Sequence, residues 1–297
     1  MATENVNNIF AQMLNELASI DNHSDGDYTE NGILHCGVCH EPKQVWIDWI
    51  PDAEGKRDKK LVPCLCKCGE QKWELEEAKI KRGNFLMRLD ELRGAITNGY
   101  DCMPKSTFAD DSNPNNVYSK ACRNYVARWE EMKADNMGIL LYGSKGTGKT
   151  FYASCIANAL TEKNVTTAFT TVANLMSVLS GRYKVEAIDA ISRVQLFVLD
   201  DLDTERNTSY GMELLYTVVD TRYRSRKPTI ITTNLEIENM KEETDLALSR
   251  VYDRVIEMCP IAMKIKGESR RNAIAEDRKA KARKMLTEIM KDIAYGD

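Results

Sequence analysis

The chain carries Gly143-Ser144-Lys145-Gly146-Thr147-Gly148-Lys149-Thr150 between an apolar run at 138–142 and a helical pattern at 151–160. A strand that enters a glycine-rich turn and leaves it as a helix is the setting of a P-loop. The glycines let backbone N–H groups converge on a polyphosphate at the helix N-terminus. Lys149 is expected to reach the β and γ phosphates, and the Thr150 hydroxyl to hold Mg²⁺. The segment therefore predicts a binding site for a nucleoside triphosphate such as ATP.

A second part of this site is predicted after the apolar strand at 195–199, which ends at Asp200 and Asp201. At the carboxyl end of a buried strand beside a P-loop, Asp200 is expected to hold Mg²⁺ through its water shell, and Asp201 to polarise the attacking water. The next predicted strand, 229–233, ends at Asn234, whose amide is placed to orient that water. Adjacent carboxylates are common in turns, but in this order they predict ATP hydrolysis. The alternation of strands and helices predicts an α/β fold with a parallel sheet.

Five of the nine cysteines lie in one N-terminal segment. Cys36 and Cys39 have the two-residue spacing of a zinc knuckle, and Cys64, Cys66 and Cys68 follow. One tetrahedral Zn²⁺ needs four ligands, so we favour Cys36, Cys39, Cys66 and Cys68, with Cys64 as the substitute for Cys66 or Cys68. A site made of thiolates alone is normally closed, which favours a structural ion over a catalytic one. Free thiols or a redox pair are the alternative.

The cysteine groups enclose two segments, 44–50 and 60–63, whose β-branched and aromatic residues predict a hairpin. A ribbon of this size needs a metal, because its core is too thin to fold unaided. His35 and His40 are spare ligands, and the spacing does not distinguish zinc from iron.

The chain of 297 residues is long enough for one full α/β domain and a smaller module. We predict an N-terminal domain at 1–98, which contains a short helix at 8–20, the cysteine module and a connecting helix at 70–96. The polar, Gly- and Pro-containing stretch after it predicts the boundary. The α/β domain is then 99–297.

Composition excludes several classes of protein. A net charge of -4 and a pI near 5.7 argue against a chain that coats nucleic acid along its whole surface. No apolar run reaches the roughly 20 residues that span a bilayer, and none follows Met1 as a signal peptide requires. The odd cysteine count argues against a disulfide scaffold. We expect a soluble, cytoplasmic protein without a membrane partner.

Four motifs together carry a resemblance to a known family. They are Walker A at 143–150, Leu-Asp-Asp-Leu at 199–202 with Thr204-Glu205-Arg206 after it, Thr-Thr-Asn at 232–234, and Ser-Arg-Val-Tyr-Asp-Arg at 249–254. The chain from about 104 to 271 resembles the bacterial and phage AAA+ helicase loaders of the DnaC/DnaI type, which have the IstB transposition ATPases as relatives. The cysteine module is similar to the zinc-binding, helicase-contacting domain of some loaders, which IstB proteins usually lack.

The resemblance implies roles residue by residue. Lys149 and Thr150 match Walker A, Asp200 and Asp201 match Walker B, and Asn234 matches sensor 1. Arg254 falls on the arginine-finger position, beside Arg250 in the same motif, and Arg271 falls where sensor 2 would lie. An arginine finger acts in trans, which implies self-association through the ATPase domain. The alternative for Arg250 and Arg254 is a solvated helix face with Asp253 as partner.

Two residues depart from the family pattern. Position 201 is Asp where most AAA+ enzymes have Glu, so hydrolysis is expected to be slow. Position 203 is Asp where these proteins often have Gly, which leaves the turn after Walker B open.

The family also implies a contact with single-stranded DNA, for which Arg182, Tyr183 and Lys184 are the candidates, since such a trio can neutralise phosphate and stack a base. An ordinary exposed loop is the equal alternative. The resemblance thus implies an ATP-dependent loader that places a replicative DnaB-type helicase on single-stranded DNA. A transposition helper and an ATP-sensing adaptor or inhibitor of a helicase are the competing hypotheses.

Overall fold

The computed structural model describes residues 25–48, 59–99, 103–203, 209–267 and 278–287. The chain divides into two compact units, Met1–Asn84 and Phe85–Asp297. The predicted domain boundary at 98/99 stays a prediction, and the predicted helix at 8–20 lies outside the described residues.

The first unit contains two antiparallel hairpins followed by a long helix. Its elements are β1 (Tyr28–Glu30), β2 (Ile33–His35), β3 (Gln44–Asp48), β4 (Lys59–Pro63) and the start of α1 (Lys67–Thr97). β1 pairs with β2, and β3 pairs with β4, which confirms the predicted hairpin between the cysteine groups. The single helix α1 covers the predicted connecting helix and ends within the second unit.

The second unit is built on a five-stranded parallel sheet with the strand order β6-β7-β8-β5-β9. The strands are β5 (Ile139–Tyr142), β6 (Thr167–Thr171), β7 (Leu196–Asp200), β8 (Thr229–Thr233) and β9 (Ile261–Lys264). The helices are α2 (Val117–Ala127), α3 (Trp129–Ala134), α4 (Lys149–Glu162), α5 (Val172–Leu179), α6 (Lys184–Arg193), α7 (Ser209–Ser225), α8 (Ile237–Lys241), α9 (Leu246–Met258) and α10 (278–287). This architecture confirms the predicted α/β fold class.

The sheet is covered on both faces, and its central strands β7 and β8 are buried at every position. Alternate residues of one strand enter different cores: Leu140 joins the core formed with α5, α6, α7 and α9, whereas Ile139 and Leu141 join the core formed with α2, α3 and α4. The sheet is therefore the middle of three layers, with its carboxyl edge left for the P-loop.

Arg222 ties the end of α6 to the turn that leads into β8. Its guanidinium is 1% exposed and donates five hydrogen bonds to oxygens at Ile191, Val194, Lys227, Pro228 and Thr229. Buried carbonyl groups that lack other donors are costly. The guanidinium thus fixes β8, the strand that ends beside the P-loop.

Candidate functional site

The P-loop begins where β5 meets Gly143, whose φ of +120° belongs to the left-handed region. A Cβ there would lie 2.9 Å from the carbonyl oxygen of Ile265. Gly148, with a φ of +105°, is the N-cap of α4. Both positions therefore require glycine, and the backbone turns directly into the helix N-terminus, as the sequence predicts.

Lys149 lies at the first position of α4, with only 6% of its surface exposed. Its Nζ atom donates to the carbonyl oxygens of Gly143 and Ser144, each at 2.8 Å, and to Oδ1 of Asn234 at 2.9 Å. The ammonium group is thus held between the P-loop and the end of β8. The structure brings together the Walker A lysine and the sensor 1 candidate.

The two magnesium candidates are in direct contact. Thr150 Oγ1 donates to Asp200 Oδ1 at 3.0 Å and lies 3.2 Å from Oδ2, and Thr232 donates to Oδ1 at 2.6 Å. Burial raises the pKa of Asp200, and the neighbouring Asp201 carboxylate adds to that rise. A divalent cation here would offset both effects. Oxygen ligands of this kind fit Mg²⁺.

Asp201 follows β7 in the left-handed conformation, with a φ of +57°. Its backbone N–H donates to Thr232 Oγ1 at 3.0 Å. Asp and Asn adopt this conformation far more readily than most residues. The local backbone thus accounts for Asp at a position where Glu is more usual.

Asp203, which the sequence marks only as a departure from the family pattern, is a functional candidate that no motif predicted. Its carboxylate accepts from the Asn234 backbone at 3.1 Å, from Asn234 Nδ2 at 2.9 Å and from Thr233 Oγ1 at 3.3 Å. Burial opposes ionisation of Asp203, but these donors outweigh it and lower the pKa. The contacts join positions 30 or 31 residues apart, so no local spacing marks them.

The arginine-finger candidate Arg254 projects from α9 against α7. Its Nη1 atom lies 2.8 Å from Asp220 Oδ1, and its guanidinium stacks 4.5 Å from the ring centre of Tyr216. The partner of Arg254 is therefore Asp220, and not Asp253, which the alternative interpretation had proposed. Arg250 lies on an exposed part of the same helix. Arg271 lies outside the described residues.

The candidates for DNA contact are placed at a helix start. Tyr183 is the N-cap of α6 and is 51% exposed, with Arg182 and Lys184 on either side. Arg182 and Tyr183 thus lie in an exposed turn before the helix, so the alternative of an ordinary exposed loop stays open and the DNA role stays a prediction.

The cysteine candidates converge in the first unit. The sulfur atoms of Cys36, Cys39 and Cys66 all lie within 4.8 Å of one another. Cys68, the fourth predicted ligand, is not one of these three, but a hydrogen bond with Cys39 raises the pKa of its thiol to about 11. Cys64 instead donates to the carbonyl oxygen of Pro42 at 3.4 Å.

Backbone N–H groups point at these sulfur atoms, as they do around bound thiolates. Those of Cys68 and Glu41 lower the pKa of Cys39 to about 6, and those of Cys39 and Val38 lower the pKa of Cys36. Such donors stabilise the charged form, which is the form that binds a metal. The donor set therefore fits a soft, tetrahedral ion such as Zn²⁺.

A buried ion pair supports the first cysteine knuckle. Asp27 accepts from the Gly37 backbone at 2.9 Å and from Lys43 Nζ at 2.5 Å, and both side chains are nearly inaccessible. This pair was not predicted, because Asp27 and Lys43 flank the knuckle without any motif spacing. It fixes the turn between Cys36 and Cys39.

None of the helices within the described ranges is long and apolar enough to cross a bilayer.

The parallel sheet, the P-loop and the Thr150–Asp200 contact together define a P-loop nucleotide-binding domain. Residues 104–279 match the family described as IstB-like ATP binding protein. Because this match covers more than half of the chain, the protein belongs to that family, and its second unit contains an ATP-binding domain.

Curated relatives include replicative helicase loaders. The chain is 33% identical over 146 residues to "Replicative helicase loader DnaC" of Escherichia coli strain K12. The aligned region covers 47% of this chain and 57% of the relative. The chain is 27% identical over 149 residues to "Replicative helicase loader DnaI" of Bacillus subtilis strain 168. This alignment covers 46% of this chain and 48% of the relative. The chain thus spans about half the length of these relatives.

Solved structures with a similar fold include the DnaC helicase loader. It superposes with a TM-score of 0.48 at 24% identity and covers 56% of this chain and 100% of the solved one.

Proposed function

We propose that this protein is an ATP-dependent loader that places a replicative DnaB-type helicase on single-stranded DNA. The observation that carries the proposal is the 33% identity to the DnaC loader. The N-terminal cysteine module, which the IstB proteins usually lack, favours the same conclusion. In this role ATP acts mainly as a switch, because binding favours the assembled state and hydrolysis releases it.

The ATP site is proposed to hydrolyse ATP slowly. The P-loop N–H groups and Lys149 would bind the phosphates, and Thr150 and Asp200 would hold Mg²⁺, which would supply positive charge beside the phosphates. Asp201 accepts a proton from the attacking water, and Asn234 orients that water. The side chain of Asp201 is shorter than that of Glu and reaches less far toward the water, which accounts for slow turnover.

Self-association completes the proposed site. Arg254 of one subunit is proposed to reach the nucleotide of its neighbour, as an arginine finger does. In the structure this guanidinium binds the Asp220 carboxylate of its own subunit and stacks on Tyr216. Assembly therefore has to exchange that carboxylate for phosphate.

The cysteine module is proposed to bind one structural Zn²⁺ through Cys36, Cys39, Cys66 and Cys68, and to contact the helicase. The arrangement of Cys68 against Cys39 supports Cys68 over Cys64 as the fourth ligand. The trio Arg182, Tyr183 and Lys184 is proposed to contact single-stranded DNA.

The test is capture of purified hexameric DnaB-type helicase by the full chain, followed by loading of that helicase on circular single-stranded DNA. We expect ATP-dependent loading by the wild type and none by Lys149→Ala, which loses the ammonium group that binds phosphate. Undiminished ATP affinity in Lys149→Ala would overturn the site assignment. Capture without loading would instead assign an inhibitor.

Membership of the IstB-like family favours a second candidate, a helper ATPase that assembles on duplex DNA beside a transposase. The same capture experiment separates the two. Binding of a transposase with no binding of helicase would overturn the loader proposal.

A further inference from the structure

A chain of polar side chains runs from Lys149 through the side-chain amide of Asn234 to the carboxylate of Asp203. The amide oxygen accepts from Lys149 at 2.9 Å, and the amide nitrogen donates to Asp203 at 2.9 Å. The sensor 1 candidate is thus held from both sides, and the proposed mechanism gives Asp203 no role.

The chemistry of the two partners fixes which way the amide points. An ammonium group only donates, so the atom that faces Lys149 has to be the oxygen. An ionised carboxylate only accepts, so the atom that faces Asp203 has to be the nitrogen. With the amide reversed, its NH₂ group would face the ammonium group of Lys149, so that two donors would meet. Its oxygen would then face the carboxylate of Asp203, so that two acceptors would meet.

The backbone strengthens this arrangement. Asp203 also accepts from the backbone N–H of Asn234 and from Thr233 Oγ1, so one carboxylate binds both the main chain and the side chain at the end of β8. Hydrogen bonds to a charged acceptor are about twice as strong as neutral ones. Rotation of the Asn234 side chain therefore requires breaking a charge-assisted bond.

We propose that Asp203 is a positioning residue that presents the amide oxygen of Asn234, and not its nitrogen, to the phosphate side of the site. Asn234 then acts as an acceptor for the attacking water, while Lys149 turns to the nucleotide. This inference rests on the proposed ATPase function. It also assigns a role to a residue that stands where related proteins often have Gly.

The test compares Asp203→Asn and Asp203→Gly with the wild type. The asparagine of the first variant offers both a donor and an acceptor, so it no longer dictates the direction of the Asn234 amide, and the glycine of the second removes the contact. We expect kcat for ATP hydrolysis to fall about tenfold in both variants, with Kd for ATP changed less than about threefold. Asp189→Asn, which alters an exposed carboxylate on α6, is the matched control and should retain wild-type kcat.

A double variant separates the positioning role from a role in stability alone. If Asp203 positions Asn234, Asp203→Asn should have no further effect on kcat in an Asn234→Ala background, because the group that it positions is absent. Wild-type kcat in both Asp203 variants, or additive losses with Asn234→Ala, would overturn the proposal.

A readout without hydrolysis separates this inference from the proposed function. The side-chain NH₂ protons of Asn234, assigned by their loss in Asn234→Ala, should be shifted downfield in the wild type and move to solvent-exposed values in Asp203→Asn. If the wild type binds ATP and never hydrolyses it, the ATPase proposal fails while this measurement still decides the contact. Unchanged amide resonances in Asp203→Asn would overturn the contact itself.

Discussion

The left-handed backbone at Asp201 limits which residues fit there and therefore which substitutions can test its role. Its φ of +57° is tolerated by Asn as well as by Asp, so Asp201→Asn removes the proposed base without straining the turn. We expect ATP affinity within about threefold of wild type and hydrolysis reduced at least about 100-fold, since a positioned base contributes about 10²- to 10⁴-fold. Titration with a fluorescent ATP analogue and a phosphate-release assay measure the two effects.

The control for Asp201 is a change that keeps the carboxylate and strains the backbone. Asp201→Glu should fold less stably, because Glu adopts the left-handed conformation less readily. Its thermal midpoint should therefore fall while Asp201→Asn keeps that of the wild type. Hydrolysis at the wild-type rate by Asp201→Asn would remove Asp201 from the mechanism.

Single residues also show where prediction from sequence succeeded. Lys149, Thr150 and Asp200 were predictable because each belongs to a short motif with fixed spacing, and the structure places Thr150 against Asp200. Asp203 and Asp27 were not, because their partners are brought near by the fold and not by spacing along the chain. Their contacts depend on the pairing of β7 with β8 and on the first knuckle.

At the scale of elements, strong apolar periodicity was predictable and short edge elements were not. β7 and β8 were predicted because apolar and β-branched residues fill both strands, which are buried at every position. β9 was not predicted, because its four residues alternate between half-buried and exposed and form a strand only by pairing with β5. Arg128, whose backbone is not helical, separates α2 from α3.

The cysteine ribbon is an element whose stability we expect to depend on its metal. β1 to β4 are short strands with few buried side chains, and such modules usually fold only with metal bound. Elemental analysis of the purified full chain should give about one zinc per chain. Cys68→Ser should lower that ratio, and the matched Cys64→Ser should retain it, because the Cys64 thiol contacts Pro42 and not the sulfur cluster.

A different metal result would change the ligand assignment. Retention of zinc by Cys68→Ser together with its loss from Cys64→Ser would make Cys64 the fourth ligand. Iron in place of zinc would refute the proposed ion and would leave the cluster as a redox centre.

At the scale of the whole molecule, the ATP site is proposed to close only between subunits, and this can be tested by mixing two inactive proteins. Arg254→Ala keeps an intact P-loop, and Lys149→Ala keeps an intact Arg254, so a mixed assembly contains interfaces with one complete site. We expect each variant alone to hydrolyse ATP at least about tenfold more slowly than wild type, and the mixture to regain activity.

Arg224→Ala is the matched control, since Arg224 also pairs with Asp220 but is 75% exposed, and it should retain wild-type activity. If Arg254 acted within its own subunit, or only bound Asp220 for stability, mixing would restore nothing, because each subunit would still lack one essential group.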